Sequence, residues 1–168
     1  MVVVAAADLA YEHFLDLTEA FYRQAGSPLA RFESDPGEPI AFEARVGGVK
    51  FSVGYDPGAG EACLFVYCVL GALAAQAQEA TLLQLLRLNV AESRLHNGTY
   101  CLDSEKQEVA YYWRSSITGI DAAALHEQLE RIAALVTQWR HDPLGHDAPR
   151  SAHAAAAEQP AAPWLPFV

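Results

Sequence analysis

Asp103, Glu105 and Glu108 lie near one another in the chain. Two carboxylates fixed on either side of a bond can serve as a general acid and base. Their run, Asp103-Ser104-Glu105-Lys106-Gln107-Glu108, reads instead as a hairpin turn, where charge is solvated rather than aimed. The six histidines are dispersed: His13, His96 and His126 stand alone, and His141, His146 and His153 fall in or near the C-terminal tail. None forms HExxH or a close His/Cys pair, so the sequence assigns no metal site. The cysteines Cys63, Cys68 and Cys101 are odd in number and lack CxxC spacing, as expected of structural thiols in a reducing compartment. No serine lies in GxSxG, and Gly54, Gly58 and Gly60 make neither GxGxxG before a helix nor a phosphate loop. The motifs therefore assign no catalytic residue and no cofactor. A triad assembled in space needs no sequence proximity, so an enzyme of that kind stays open as the third reading.

Composition narrows the partners. The chain has 168 residues, 52% of them hydrophobic, enough for one domain with a real core. Its formal charge is -10, from 21 acidic against 11 basic residues. That sign disfavours nucleic acid and anionic membranes and suits neutral or basic polypeptides. The start, MVVVAAADLAYEHF, has no basic region before its apolar run and is not read as a signal peptide. No apolar run approaches the roughly 20 residues that span a bilayer. The expected location is the cytosol, with no membrane partner.

The elements that would carry any site follow from periodicity. Tyr11, Phe14, Leu15, Thr18 and Tyr22, with Phe21 beside them, predict an amphipathic helix over 8–25, ended by Gly26 and Pro28. Ile40, Phe42, Ala44 and Val46 alternate with polar or small residues. Gly47-Gly48 then turns the chain, and Val49, Phe51, Val53 and Tyr55 return. Residues 62–70 are apolar on both faces, which predicts a central strand or one covered on its second face. A second helix is expected over 79–92, with Leu82, Leu85, Leu86 and Asn89 on one face and Leu83 and Val90 beside it. So wide an apolar surface calls for a dimer partner or deep burial within one domain. A short strand at 99–102 and a longer one at 108–117 follow, with Tyr111 and Trp113 on the face opposite Tyr112. Asp121 is a candidate N-cap, and Leu125, Leu129, Ile132, Val136 and Trp139 form the stripe of a third helix. The order is an α+β fold: helix, three antiparallel strands, helix, two strands, helix, with a twisted sheet and helices packed against it. The domain is expected to span 1–140. Residues 141–168 hold five of the nine prolines and predict a flexible Pro/Ala-rich tail. Its end, Pro163-Trp164-Leu165-Pro166-Phe167-Val168, either docks into a groove or folds back on its own domain.

This order, with Leu82-Leu83-Gln84-Leu85-Leu86-Arg87-Leu88-Asn89-Val90, Gly98-Thr99-Tyr100-Cys101-Leu102-Asp103 and Val109-Ala110-Tyr111-Tyr112, resembles the class I chaperones of type III secretion, the CesT/SycE-like family. The helix that ends in Leu88-Asn89 is the closest local match, and the likeness runs over about residues 8–140. The resemblance implies a non-enzymatic homodimer of the bacterial cytoplasm that binds the N-terminal region of a secreted effector in extended form and keeps it secretion-competent. The secretion apparatus ATPase is an implied further partner. Carried over by position, it implies client contacts at Phe14, Leu17, Phe21, Ile40, Phe42, Val49 and Phe51. It implies a dimer interface at Leu82, Leu85, Leu86, Asn89, Tyr111 and Trp113. The second reading is a protein-binding adaptor or regulatory domain of the same fold.

Overall fold

A computed structural model describes residues 2–26, 37–58, 63–73, 78–103 and 105–143. The tail beyond 143, with its proposed flexibility, falls wholly outside them. The architecture is the expected α+β one: α1 (Val2–Gln24), β1 (Ile40–Val46), β2 (Val49–Asp56), β3 (Cys63–Ala72), α2 (Gln78–Leu95), β4 (Gly98–Asp103), β5 (Glu108–Ser116) and α3 (Ala122–His141). A short 3-10 turn, Ile117–Gly119, precedes α3. The five strands form one antiparallel sheet in the order β1-β2-β3-β5-β4. β3 is therefore central, which explains a strand that is apolar on both faces.

Alternation fixes which face is covered. Ile40, Phe42, Ala44 and Val46 on β1 are buried, as are Val49, Phe51, Val53 and Tyr55 on β2 and Leu64, Val66, Cys68 and Leu70 on β3. α1 and α3 lie against this face and against each other. α1 contributes Tyr11, Phe14, Leu17 and Phe21, and the Phe14 and Phe21 rings meet Phe42 at 6.0 and 5.8 Å between centroids. Thr18, buried among them, satisfies its hydroxyl by donating to the Phe14 carbonyl at 2.7 Å. α1 begins earlier than the periodic face at 8–25 suggests, through Val2 to Ala7, and Gly26 ends it at φ +63°, a conformation that favours glycine.

α3 is deeply seated. Leu125, Leu129, Ile132, Ala133, Val136 and Trp139 are all buried, as the stripe required. The Asp121 carboxylate accepts from the Ala124 backbone N–H at 2.8 Å, so the expected N-cap forms. At the other end the Arg140 guanidinium donates to the Leu70 carbonyl at 2.8 Å and to that of Val69 at 3.2 Å. These carbonyls lie at the β3 bulge between Val69 and Gly71, where an irregular register leaves strand acceptors to be met from outside the ladder.

Candidate functional site

The sheet has two edges, and the sequence treats them differently. β4 is closed by α2. The Asn89 side chain accepts from the Tyr100 backbone N–H at 2.6 Å and donates to the Tyr100 carbonyl at 3.0 Å, the two bonds a further strand would make. One turn on, Glu92 accepts from the Tyr111 hydroxyl at 2.5 Å and lies 3.7 Å from the Arg131 guanidinium of α3. Gly98 makes this reach possible, because a side chain there would collide with the Tyr111 hydroxyl. Burial, then the bond to Glu92, raises the Tyr111 phenol above its ordinary range.

β1 is the other edge, and among the described residues no helix ties to its rim as α2 does to β4. Ala41, Glu43 and Arg45 on it are exposed. The face of the sheet opposite α1 and α3 is also unlike a solvated one. Phe65, Tyr67, Val69 and Tyr112 are half-buried there. The Phe65 ring lies on Gly54, where any side chain would displace it, and stacks on Tyr112 at 6.1 Å.

A second apolar surface lies on α2. Only Thr81 and Leu85 of this helix are buried. Leu83, Leu86 and Val90 are 49%, 64% and 56% exposed, at i, i+3 and i+7, so they form one stripe facing away from the protein. Leu95 is exposed beyond it.

The seven residues assigned to client contact do come together, but inside. Phe14, Leu17, Phe21, Ile40, Phe42, Val49 and Phe51 all belong to the core between α1 and the sheet. The outward positions on the same strands are Ala41, Glu43 and Arg45 on β1 and Lys50 and Ser52 on β2. The alternation of β1 and β2 contained this signal, since the apolar set of a half-covered strand belongs inside. Of the six residues assigned to a dimer interface, Leu85, Tyr111 and Trp113 are buried, Leu82 and Asn89 are half-buried, and Leu86 is open. Asn89 spends its amide within the chain. Leu83 and Val90, read from sequence as lying beside the interface face, share the open stripe with Leu86.

Among the described residues no three His, Cys, Asp or Glu side chains are placed to hold a metal. Burial pushes the Cys68 thiol up to about 12, the opposite of an activated nucleophile. Burial and then Asp103 also raise that of Cys101. Asp103 accepts from the backbone N–H groups of Glu105 and Lys106 at 3.0 and 3.1 Å, the turn role expected of it. No helix among the described residues is long and apolar enough to cross a membrane.

Residues 58–140, from just after β2 to the last turn of α3, match the model of the Tir chaperone protein (CesT) family. The match spans α2, which carries Leu88-Asn89 and runs on to Leu95, and both strands after it, and bears out the resemblance seen in the sequence. Two solved structures share the fold. One, from the HopA1-SchA chaperone-effector complex, superposes with a TM-score of 0.57 at 13% identity, over 79% of this chain and 97% of its own. The other, from the ExsC-ExsE complex, superposes with a TM-score of 0.57 at 14% identity, over 77% of this chain and 91% of its own. No curated protein matches the sequence.

Proposed function

We propose that this chain, with a CesT-family match from residue 58 to 140, is a type III secretion chaperone: it binds the N-terminal region of a secreted effector in extended form and keeps it competent for secretion. The family match, falling on a fold shared with a chaperone-effector complex, carries this reading. The surfaces support it physically. An extended client has unpaired backbone groups and apolar side chains to shelter, and an open strand edge answers the first need. The half-buried aromatic face of Phe65, Tyr67 and Tyr112 answers the second. The buried set from Phe14 to Phe51 then backs the client surface, and Ala41, Glu43, Arg45, Lys50 and Ser52 meet the client.

The protein acts as a homodimer joined through the open stripe of Leu83, Leu86 and Val90 on α2. A contact between two such stripes removes from water the apolar side chains that the isolated chain exposes. No catalytic step is needed: the protein holds its client in the cytoplasm and passes it on, with the secretion apparatus ATPase as the receiving partner. The test is co-expression with secreted proteins encoded beside it. The expected result is a complex of two chains with one client, held through the client's N-terminal region. Failure of every such neighbour to co-purify sinks the reading.

A further inference from the structure

We propose that Tyr22 guards the open edge of the sheet: its hydroxyl occupies a β1 backbone acceptor that an incoming strand would use, so that pairing at this edge proceeds by exchange of that bond. The identity of the natural client rests on the chaperone reading, but the edge and its guard rest on the geometry of β1 alone.

β1 ends the sheet. The turn that follows it has two residues, Gly47 and Gly48, at φ +57° and +77°, the mirror-image geometry of tight hairpins. In such a hairpin the flanking residues, here Val46 and Val49, exchange hydrogen bonds, and bonded pairs then alternate along the ladder. Ala44, Phe42 and Ile40 therefore direct their N–H and C=O groups to β2, while Arg45, Glu43 and Ala41 direct theirs off the sheet. Glu43 is the middle one of these three, and its carbonyl accepts the Tyr22 hydroxyl at 3.2 Å.

The hydroxyl is delivered rather than incidental. Tyr22 is half-buried on α1, with its ring 5.5 Å from Phe42 and 6.4 Å, edge-on, from Phe21. A ring held by buried neighbours brings its tip to the strand at little entropic cost. One hydroxyl meets one acceptor, which leaves Ala41 and Arg45 on either side for an approaching chain to start pairing. The same device discourages the wrong partner. Two β1 strands paired antiparallel about Glu43 would set Glu43 against Glu43, and like charges directly opposite are unfavourable. Lys50 pairs with Glu43 across the β1–β2 ladder and adds a charge that an apolar edge would lack. The occupant that fits is an extended polypeptide of different sequence, with an N–H facing Glu43 and neutral or basic side chains beside it.

Tyr22→Phe keeps the ring and its contacts and removes only the hydroxyl, so the far-ultraviolet spectrum and thermal transition should match those of the parent. The probe is a fluorescein-labelled peptide, Lys-Thr-Val-Thr-Val-Thr-Lys, followed by anisotropy, together with a copy N-methylated at alternate residues to remove the donors of one edge. A freed acceptor is worth one hydrogen bond, so Tyr22→Phe should bind the peptide about fivefold tighter than the parent chain, and the methylated copy should lose that gain. Equal or weaker binding by Tyr22→Phe overturns the guard, as does an undiminished gain with the methylated copy. Absence of binding to both chains overturns β1 as a strand acceptor. Effector capture is read separately by co-purification, so the chaperone reading stands or falls on its own result.

Discussion

The two edges of this sheet solve one problem in opposite ways. At β4 the backbone is met by a side-chain amide that imitates a strand, with both bonds made by Asn89 and a second tie, Glu92 to Tyr111, one turn later. At β1 a single hydroxyl makes a single 3.2 Å contact. An unpaired edge is a template for another chain, and proteins normally cover or charge it. Among the described residues one edge is closed firmly and the other lightly: α2 caps β4 with two bonds to Tyr100, and at β1 Tyr22 meets one acceptor. α2 is unlike α3 in the same sense. α3 buries six residues and α2 two, so the ties of Asn89 and Glu92 take a larger share in seating α2, beside Leu82, Leu85 and Leu88.

The comparison breaks most visibly if the β4 ties are cut. Asn89→Ala removes both bonds to Tyr100 and leaves an N–H and a carbonyl without their partner. The expected loss is about 2 kcal/mol of unfolding free energy in denaturant titration, with faster amide exchange at Tyr100. A loss no larger than that of an exposed surface change would mean that α2 is held by its few apolar contacts instead. Next in size is Tyr111→Phe, which removes the bond donated to Glu92 and the one accepted from Arg131 at 3.2 Å, and should cost about 1 kcal/mol near neutral pH. It carries a pH signature. Burial raises the phenols of Tyr111 and Tyr100, so the folded state favours their neutral forms. The stability this represents is fully present below the unfolded value of 10.0 and is lost as pH rises through the folded values. Thermal transitions should therefore fall steeply above pH 10 in the parent chain and less steeply in Tyr111→Phe. Parallel curves would remove the phenol from the account.

Why β1 and β2 were legible and α2 was not has a physical reason. On β1 every second residue is apolar and the glycine pair fixes the turn, so element and bounds follow from one pattern, whereas the apolar set assigned to the client turns inward. Asp121 and the α3 stripe are equally unambiguous, because cap and period agree. α2 carries Leu82, Leu83, Leu85, Leu86, Leu88 and Val90 nearly all round, and such a helix has no single face to read. Its orientation is set by Asn89 and Glu92, polar residues whose partners Tyr100 and Tyr111 lie on other elements. That turns Leu85 inward and Leu83, Leu86 and Val90 outward. Tyr22 was legible as part of an amphipathic helix, but its bond to Glu43 links positions 21 apart in the sequence and leaves no periodic trace.

The smallest effect on folding is expected where the effect on assembly is largest. Leu83 and Leu86 are 49% and 64% exposed, so the core does not depend on them. Lysine has nearly the helix propensity of leucine, and Leu83→Lys with Leu86→Lys should change the stability of the single chain by no more than about 0.5 kcal/mol. Leu85 is unsuitable for this purpose, because at 5% exposure a charge there would unfold the helix from its own sheet and confuse the two outcomes. If two α2 stripes face each other, the paired substitution desolvates four ammonium groups at once and the dimer cannot form. Light scattering should then fall from a mass of two chains to one, with the circular dichroism spectrum unchanged. A mass that stays at two chains would move the dimer contact off α2, and a parent protein already at one chain would leave the stripe free for the client. Either result would redraw the comparison, because the helix that closes β4 would then serve a different partner from the one proposed.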